Sequence, residues 1–271
     1  GVEVCIATPG RLIDFLAPPP GFSAPVSARN ATFIVLDEAD RMLDMGFEPQ
    51  IKKILKLCPT SRQTLMFTAT WPEAVKKIAD QFTNANAVHV RIGEGGDNLT
   101  ANKAIAQTVE VIDEERKLDR MIEVLKKGLA NGERGIVFCG TKRRCDFIDR
   151  KIKSVGLRSA GAIHGDKDQA EREYSLDLFR KGKAPLLVAT DVAARGLDIP
   201  GVALVLVYDF PMAVEDYVHR IGRTGRAGAV GKAVCFFTRE NAHAAPELVQ
   251  ILEGAGQPVP EELQDMADAR R

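Results

Sequence analysis

Short β-branched runs alternate with helical patterns from one end of this chain to the other, and that alternation restricts it to parallel sheets covered by helices. Parallel neighbours cannot be joined by tight hairpins, so each strand needs a long crossover, and the helical stretches supply it. Residues 2–7, 32–37, 64–67 and 87–92 read as strands of a first unit, with helical spacing at 10–16, 48–57 and 72–82. Residues 17–30 carry three consecutive prolines and read as loop. A second set of strands is expected near 105–112, 135–139, 160–163, 186–189, 204–208 and 233–238. Helices alternate with them, and an end helix near 244–253 precedes a proline-punctuated tail.

Between the two sets, residues 93–103 are polar, rich in glycine and without periodicity, as expected of an interdomain linker. The predicted organisation is α/β throughout: residues 1–92 in a first parallel-sheet domain, 93–103 as linker, 104–240 in a second domain, and 241–271 as a helical tail. The first set opens directly on a strand and is short for a domain of this kind, so it is expected to be incomplete at its N-terminus.

With 271 residues and 45% apolar content, two packed cores are within reach. The 37 basic and 37 acidic residues cancel, so any nucleic-acid binding must come from local patches rather than from an overall field. Cys5, Cys58, Cys139, Cys145 and Cys235 show no Cys-x-x-Cys spacing and are expected as reduced, buried thiols rather than metal ligands. No signal-peptide pattern or apolar run of membrane-spanning length occurs, and a soluble protein of the nucleus or cytoplasm is expected, with no membrane partner.

The run at 32–36 reads as a buried strand that delivers Asp37 and Glu38 to its carboxyl end, the edge of an α/β sheet where ligands bind. An aspartate there suits Mg²⁺, which keeps several waters and takes few protein ligands. The adjacent Glu38 suits a water attacking a γ-phosphate, a reaction dominated by positioning and charge neutralisation. Helix capping by the same two carboxylates is the competing reading. Arg220, Arg223 and Arg226 lie three residues apart, with Gly222 and Gly225 leaving backbone room for a bulky anion. Their planar guanidinium groups match phosphate oxygens, although a solvated helical face of arginines would look similar. A Gly-x-x-x-x-Gly-Lys-Ser/Thr phosphate loop is missing from the sequence, since Gly182-Lys183 and Gly231-Lys232 are each followed by alanine.

Thr8, Pro9, Gly10 and Arg11 end one strand and open a helix, placing a hydroxyl, a proline and a cation at a helix start suited to phosphate. Thr141 and Thr190 repeat the strand-to-helix arrangement. Each alone is a routine cap. Lys142, Arg143 and Arg144 read as solvated helix surface, His164 as structural, and His89 and His243 belong to no motif.

Six ordered strings bring these features together: Ala-Thr-Pro-Gly-Arg (7–11), Asp-Glu-Ala-Asp (37–40), Thr-Ala-Thr (68–70), Gln-x-x-Arg (169–172), Ala-Thr-Asp-x-x-x-Arg-Gly-Leu-Asp (189–198) and His-Arg-Ile-Gly-Arg-Thr-Gly-Arg (219–226). In this order they resemble the DEAD-box RNA helicases. Trp-Pro at 71–72, Thr-Lys-Arg-Arg-Cys-Asp at 141–146 and His-Gly-Asp-Lys at 164–167 look most like the p68/Dbp-like branch. The resemblance implies two RecA-like domains, ATP and Mg²⁺ as cofactors, and a monomer that binds RNA independently of sequence and serves ribonucleoproteins. By the same resemblance, Asp37 and Glu38 serve metal and water, Asp40 pairs with the Thr68 and Thr70 hydroxyls, and Asp198 meets the ribose. Arg223 and Arg226 meet the γ-phosphate, and His219 the first domain. Thr8, Pro9, Gly10, Arg11, Thr141, Arg172 and Thr190 face RNA. The family's adenine-reading segment and phosphate loop would lie upstream of Gly1. Two alternatives remain: a non-catalytic RNA- or protein-binding fragment, and a DNA-translocating relative, which Asp40 in place of histidine disfavours.

Overall fold

The computed structural model describes residues 2–71, 73–91, 99–129, 132–191, 199, 201–226 and 228–270. The chain divides into two compact units, Gly1–Leu99 and Thr100–Arg271.

In the first unit, β1 (Phe33–Leu36) and β2 (Gln63–Met66) pair in parallel, with Leu36 opposite Met66. Helices α1 (Pro9–Leu16), α2 (Ala39–Asp44), α3 (Glu48–Leu57) and α4 (Glu73–Phe82) accompany them. Apolar residues at helical spacing on α3 and α4, Ile51, Leu55, Ile78 and Phe82, close over Leu36 to form a small core. Only one face of β1 joins it. Phe33 and Val35 point the other way and are 59% and 48% exposed, so the strand is half-buried rather than buried as the apolar run suggested.

Two predicted strands of this unit form no ladder. Residues 2–7 and 87–91 carry no strand pairing, and Val2, Val4, Ile6, Val88 and Val90 are exposed. Their alternation has the strand period, but a strand needs a neighbour's backbone groups, and β1 and β2 pair only with each other among the described residues.

The second unit is a six-stranded, wholly parallel sheet in the order β3-β8-β7-β4-β6-β5. Its strands are β3 (Ile105–Val111), β4 (Arg134–Phe138), β5 (Ser159–Ile163), β6 (Leu186–Ala189), β7 (Val202–Val207) and β8 (Gly231–Phe237). The central strands β6 and β7, and β4 after its leading Arg134, are apolar, as burial on both faces requires. Helices α5 (Lys117–Gly128), α6 (Lys142–Ser154), α7 (Gln169–Arg180) and α8 (Val214–Ile221) cover the sheet, and α9 (Ala245–Gly254) packs on α10 (Glu261–Asp268) beyond it. After β6 the chain crosses β4 to enter β7, so the order reverses at the sheet's centre, where ligands of open α/β sheets bind.

The linker expectation needs shortening. Residues 93–98 lie outside the described residues, whereas 100–103 belong to the second unit: Ala101 is buried and the Asn102 amide donates to the Gly225 carbonyl at 3.0 Å. Four of the five cysteines are buried, but Cys5 is exposed because its segment joins no sheet. Among the described residues no helix is long and apolar enough to cross a membrane.

Candidate functional site

β1 ends at Leu36 and hands the chain to Asp37 and Glu38 at the carboxyl edge of its sheet. The Glu38 amide donates to Asp37 Oδ1 at 3.0 Å. Glu38 itself sits at φ 51°, ψ 51°, the left-handed region, and is alone in this among the described non-glycine residues. Such a conformation costs roughly 1–3 kcal/mol and persists where surrounding structure imposes it, often at functional sites. Although Glu38 occupies the N-cap of α2, its side chain makes no capping bond. Capping therefore does not account for this carboxylate, which is exposed.

Two residues on, in the first turn of α2, Asp40 is 7% exposed and fully used. Its Oδ2 accepts from the amides of Ala69 and Thr70 at 3.2 and 2.9 Å and from the Thr70 hydroxyl at 2.9 Å, while Oδ1 accepts from the Arg41 amide. Thr68 departs from the expected pairing: its hydroxyl donates to the Thr70 carbonyl at 2.8 Å, not to Asp40. The turn folds Thr68 back on itself, and the Thr70 hydroxyl is the one left facing the carboxylate. An acidic residue at the start of α2 is thus locked to the turn after β2. Asp37 suits Mg²⁺ in its donor chemistry: it is exposed, and Oδ1 carries one bond from a backbone amide. No group of three or more His, Cys, Asp or Glu gathers among the described residues, so a metal here would be held mostly by phosphate and water.

At the start of α1, Thr8 is the N-cap residue and Pro9 opens the helix, but the Thr8 hydroxyl makes no cap bond. Arg11, exposed, lies 3.9 Å from Asp14 and over the Phe15 ring. Gly10 has open space around its Cα.

In the second unit the carboxyl ends of β4, β5, β6 and β7 bring together Thr141, His164, Thr190 with Asp191, and Asp209. Thr141 caps α6 by accepting from the Arg144 amide, which leaves its hydroxyl hydrogen to donate elsewhere. Thr190 is buried, its amide donating to the Ile163 carbonyl. Arg172 projects from α7 half-buried, and its Nε has no hydrogen-bond partner in the structure. Asp198 lies outside the described residues. His164 is buried, with Nε2 3.1 Å from Asp146. Burial pushes the Asp146 carboxyl up, and the hydrogen bonds and charges of His164 and Lys167 outweigh it, so the net direction is down.

The three arginines do not share a helical face. Helix α8 ends at Ile221, and Gly225 takes φ +65° in the turn beyond, where a Cβ would come 2.6 Å from the Ile105 side chain. Arg220 is inside, 3% exposed, with Nε and Nη2 on the two Asp191 oxygens at 2.6 and 2.7 Å, Nη1 on the Asp209 carbonyl, and the guanidinium over Phe138. Arg223 and Arg226 follow the helix end, their Nε atoms donating to the carbonyls of His219 and Gly222 at 3.4 and 2.8 Å. His219 is half-buried. Sequence reasoning placed Arg220 with the other two and passed over Asp191 and Asp209. An aspartate just beyond the carboxyl end of an apolar run was the available signal: Asp191 and Asp209 each stand two residues past their strands, much as Asp37 follows β1.

A second missed group backs this edge. Lys117, 3% exposed, contacts Glu114 at 2.7 Å and Asp209 at 3.6 Å. Arg144, expected as solvated surface, lies 2.9 Å from Glu114 and over the Tyr208 ring. Burial raises the Glu114 carboxyl's pKa, but the hydrogen bond and charge of Lys117 together with Arg144 win and lower it. Burial pushes the Tyr208 phenol up to about 12, so it stays neutral.

Replacing Arg220 by methionine should destabilise the second unit by about 3 kcal/mol, because Asp191 loses its bidentate partner. Arg220→Met with Asp191→Asn should cost clearly less than the sum of the single changes. Denaturant unfolding of the four proteins reads this, and additive losses would mean that the pair is not coupled.

Fold and site together define a class: a two-unit α/β protein with an acidic strand end on one parallel sheet and an arginine-bearing helix end on another. Residues 1–78 match the family described as DEAD/DEAH box helicase, and residues 116–228 match the helicase conserved C-terminal domain. The ATP-dependent RNA helicase-like protein DB10 of Nicotiana sylvestris is 53% identical over 268 residues, 98% of this chain and 42% of that protein. The ATP-dependent RNA helicase dbp2 of Emericella nidulans is 52% identical over 98% of this chain and 46% of its own length. Among solved structures, S. cerevisiae Dbp5 bound to RNA and ADP BeF3 superposes with a TM-score of 0.73 at 30% identity, covering 96% of this chain and 68% of that one. The chain belongs to the DEAD-box helicase family, and its similarity to dbp2 proteins agrees with the p68/Dbp-like branch. It spans less than half the length of these curated relatives.

Proposed function

We propose that this chain is the section of an ATP-dependent RNA helicase that couples nucleotide hydrolysis to RNA binding. The observation that carries the reading is the Asp40 carboxylate, buried and engaged by Ala69 and Thr70, which makes one rigid piece of the acidic strand end and the hydroxyl turn. Asp37 holds the Mg²⁺ of bound ATP and Glu38 orients the attacking water. Asp198 meets the ribose. Arg223 and Arg226 bring charge to the γ-phosphate when the two units close, and His219 meets the first unit's motifs. RNA lies along Thr8, Pro9, Gly10, Arg11, Thr141, Arg172 and Thr190, which offer hydroxyls, helix starts and cations to a backbone rather than edges to bases. A single strand bent by closure separates from its complement. This reading takes the protein as a monomer acting on ribonucleoproteins in the nucleus or cytoplasm. RNA- and nucleotide-bound structures among the relatives support it.

Two measurements test it. The 271-residue chain should release no phosphate from ATP with or without RNA, because its sequence holds no phosphate loop, while a version extended upstream to include one should be stimulated by RNA. Turnover by the shorter chain, or an extended protein indifferent to RNA, would count against the proposal. The second unit, residues 100–271, should bind single-stranded RNA weakly, with affinity falling as salt rises and little dependence on base sequence. Strong preference for one sequence in competition would contradict a backbone-reading surface. A non-catalytic RNA-binding role is the second reading, favoured by the second unit's having its own core and its own capped helix start at Thr141.

A further inference from the structure

Helix α6 leaves Thr141 carrying Lys142, Arg143, Arg144, Arg150, Lys151 and Lys153 against two carboxylates, Asp146 and Asp149. Both carboxylates are half-buried and engaged. Asp146 lies 3.1 Å from His164 and 3.6 Å from Lys167, and Asp149 accepts from Lys153 at 2.8 Å and from the Ser159 hydroxyl at 2.5 Å. Lys142 is paired with Asp166, and Arg144 with Glu114. Arg143 and Arg150 are exposed, and neither forms a hydrogen bond or ion pair with a described residue. Steps of four and three residues bring Arg143, Phe147 and Arg150 onto one outward stripe of the helix. Beside them Lys151 lies over the Phe147 ring, 5.5 Å from its centroid. From Arg143 to Lys151 the stripe runs about 12 Å along the helix axis.

Helix stability does not account for this charge. Free backbone amides make the first turn of a helix electropositive, so a carboxylate is favoured there and a cation opposed. The first turn of α6 holds no acidic residue. Lys142 and Arg144 are relieved by their partners, whereas Arg143 keeps an uncompensated charge beside those amides. Lys151 and Lys153 suit the last turn, where the dipole reverses. That leaves Arg143, at the unfavourable end, and Arg150, in the middle of the helix, as cations whose complement is an anion from outside the fold.

We propose that the exposed stripe of Arg143, Phe147, Arg150 and Lys151 on α6 is a second contact for RNA, holding the phosphates of a single strand that extends past Thr141. Charge complementarity selects a polyanion as the occupant. The stripe begins two residues after the hydroxyl that the proposed function gives to RNA, so one strand reaches both. Arginine forks hold phosphate oxygens bidentately, and the Phe147 ring keeps the Lys151 ammonium on the stripe. Phosphate contacts carry no base information, so the stripe adds affinity without sequence preference. The site lies wholly within the second unit, and it rests on the RNA-binding reading, which it deepens by making affinity depend on the length of the strand.

The 271-residue chain should bind a long oligouridine more tightly than one short enough to fill only the Thr141, Arg172 and Thr190 positions. Combining Arg143→Gln, Arg150→Gln and Lys151→Gln should weaken the long strand about three- to a hundredfold at low salt, as the loss of three exposed ion pairs implies. The slope of log affinity against log salt should flatten by about 2, from roughly 0.7 for each of three phosphates on a single strand. Binding of the short strand and the midpoint of denaturant unfolding should stay at parent values, because these side chains have no partners within the fold. Arg143→Lys with Arg150→Lys should keep most of the slope, which ties the effect to charge. An unchanged slope for the long strand in the triple glutamine variant would overturn the proposal, and so would equal losses on the short and long strands. A polyglutamate peptide tests an acidic protein segment as the occupant. If it binds the parent chain as tightly as the long strand does, and the triple variant loses it to a greater extent, the assignment to RNA is wrong. Binding of the short strand with no gain on lengthening would remove the stripe alone, whereas a parent chain that binds neither strand would remove the RNA reading and the stripe with it.

Discussion

Arg226→Ala, in a protein that also carries the phosphate loop, should slow single-turnover ATP hydrolysis by about a thousandfold or more, and Arg226→Lys should recover little of that loss. The turn explains why. Arg226 stands beyond the end of α8, after a glycine at φ +65°, and its Nε is engaged by the Gly222 carbonyl at 2.8 Å. One nitrogen of the planar group is therefore committed to aiming the others. Lysine keeps the charge, but its single ammonium cannot both hold Gly222 and serve a phosphate oxygen in a fixed direction. Because this arginine belongs to the second unit, its work is proposed to come after closure, and nucleotide affinity without RNA should change far less than the rate. If Arg226→Lys weakens that affinity as much as it slows the chemistry, the residue is a ground-state ligand and the closure mechanism is wrong.

The second unit was the more legible because its inner strands β6 and β7 are apolar on both faces. A run such as Leu186–Ala189 has no other stable place than the middle of a sheet, and its boundaries in the structure are those its pattern suggested. The first unit was read less well for the same physical reason. Residues 2–7 and 87–92 alternate as a one-sided strand does, yet alternation specifies a face and not a partner, and the pairing is absent from the described residues. At the site, the glycine-and-arginine string pointed to phosphate chemistry but concealed that Arg220 works inward. Three-residue spacing matches a helical face only while the helix lasts, and α8 ends at Ile221, between Arg220 and the other two. The ion pairs of Lys117 and Arg144 join residues far apart in the chain, which no local pattern records. Glu38's left-handed backbone was equally invisible, since the type of residue that strain suits is not the type found there.

That backbone separates chemistry from stability in a way two substitutions can measure. Glu38→Gln in the extended protein should lower ATP hydrolysis by about a hundredfold to ten-thousandfold, because the amide preserves shape but cannot accept the water's proton. ATP and RNA binding should persist, holding the complex closed for longer. Folding of the 271-residue chain should change by less than about 0.5 kcal/mol, for the side chain is exposed and makes no capping bond. Glu38→Gly should abolish hydrolysis as thoroughly while stabilising the first unit by about 1 kcal/mol, since glycine occupies φ 51° without the steric cost glutamate bears. A more stable but inactive Glu38→Gly protein would establish that the strain is maintained to aim a carboxylate. If the glycine variant gains no stability in denaturant unfolding, the left-handed turn is not strained. If the glutamine variant turns over at the parent rate, Glu38 does not handle the water at all, and the carboxylate acting on the γ-phosphate must be sought elsewhere.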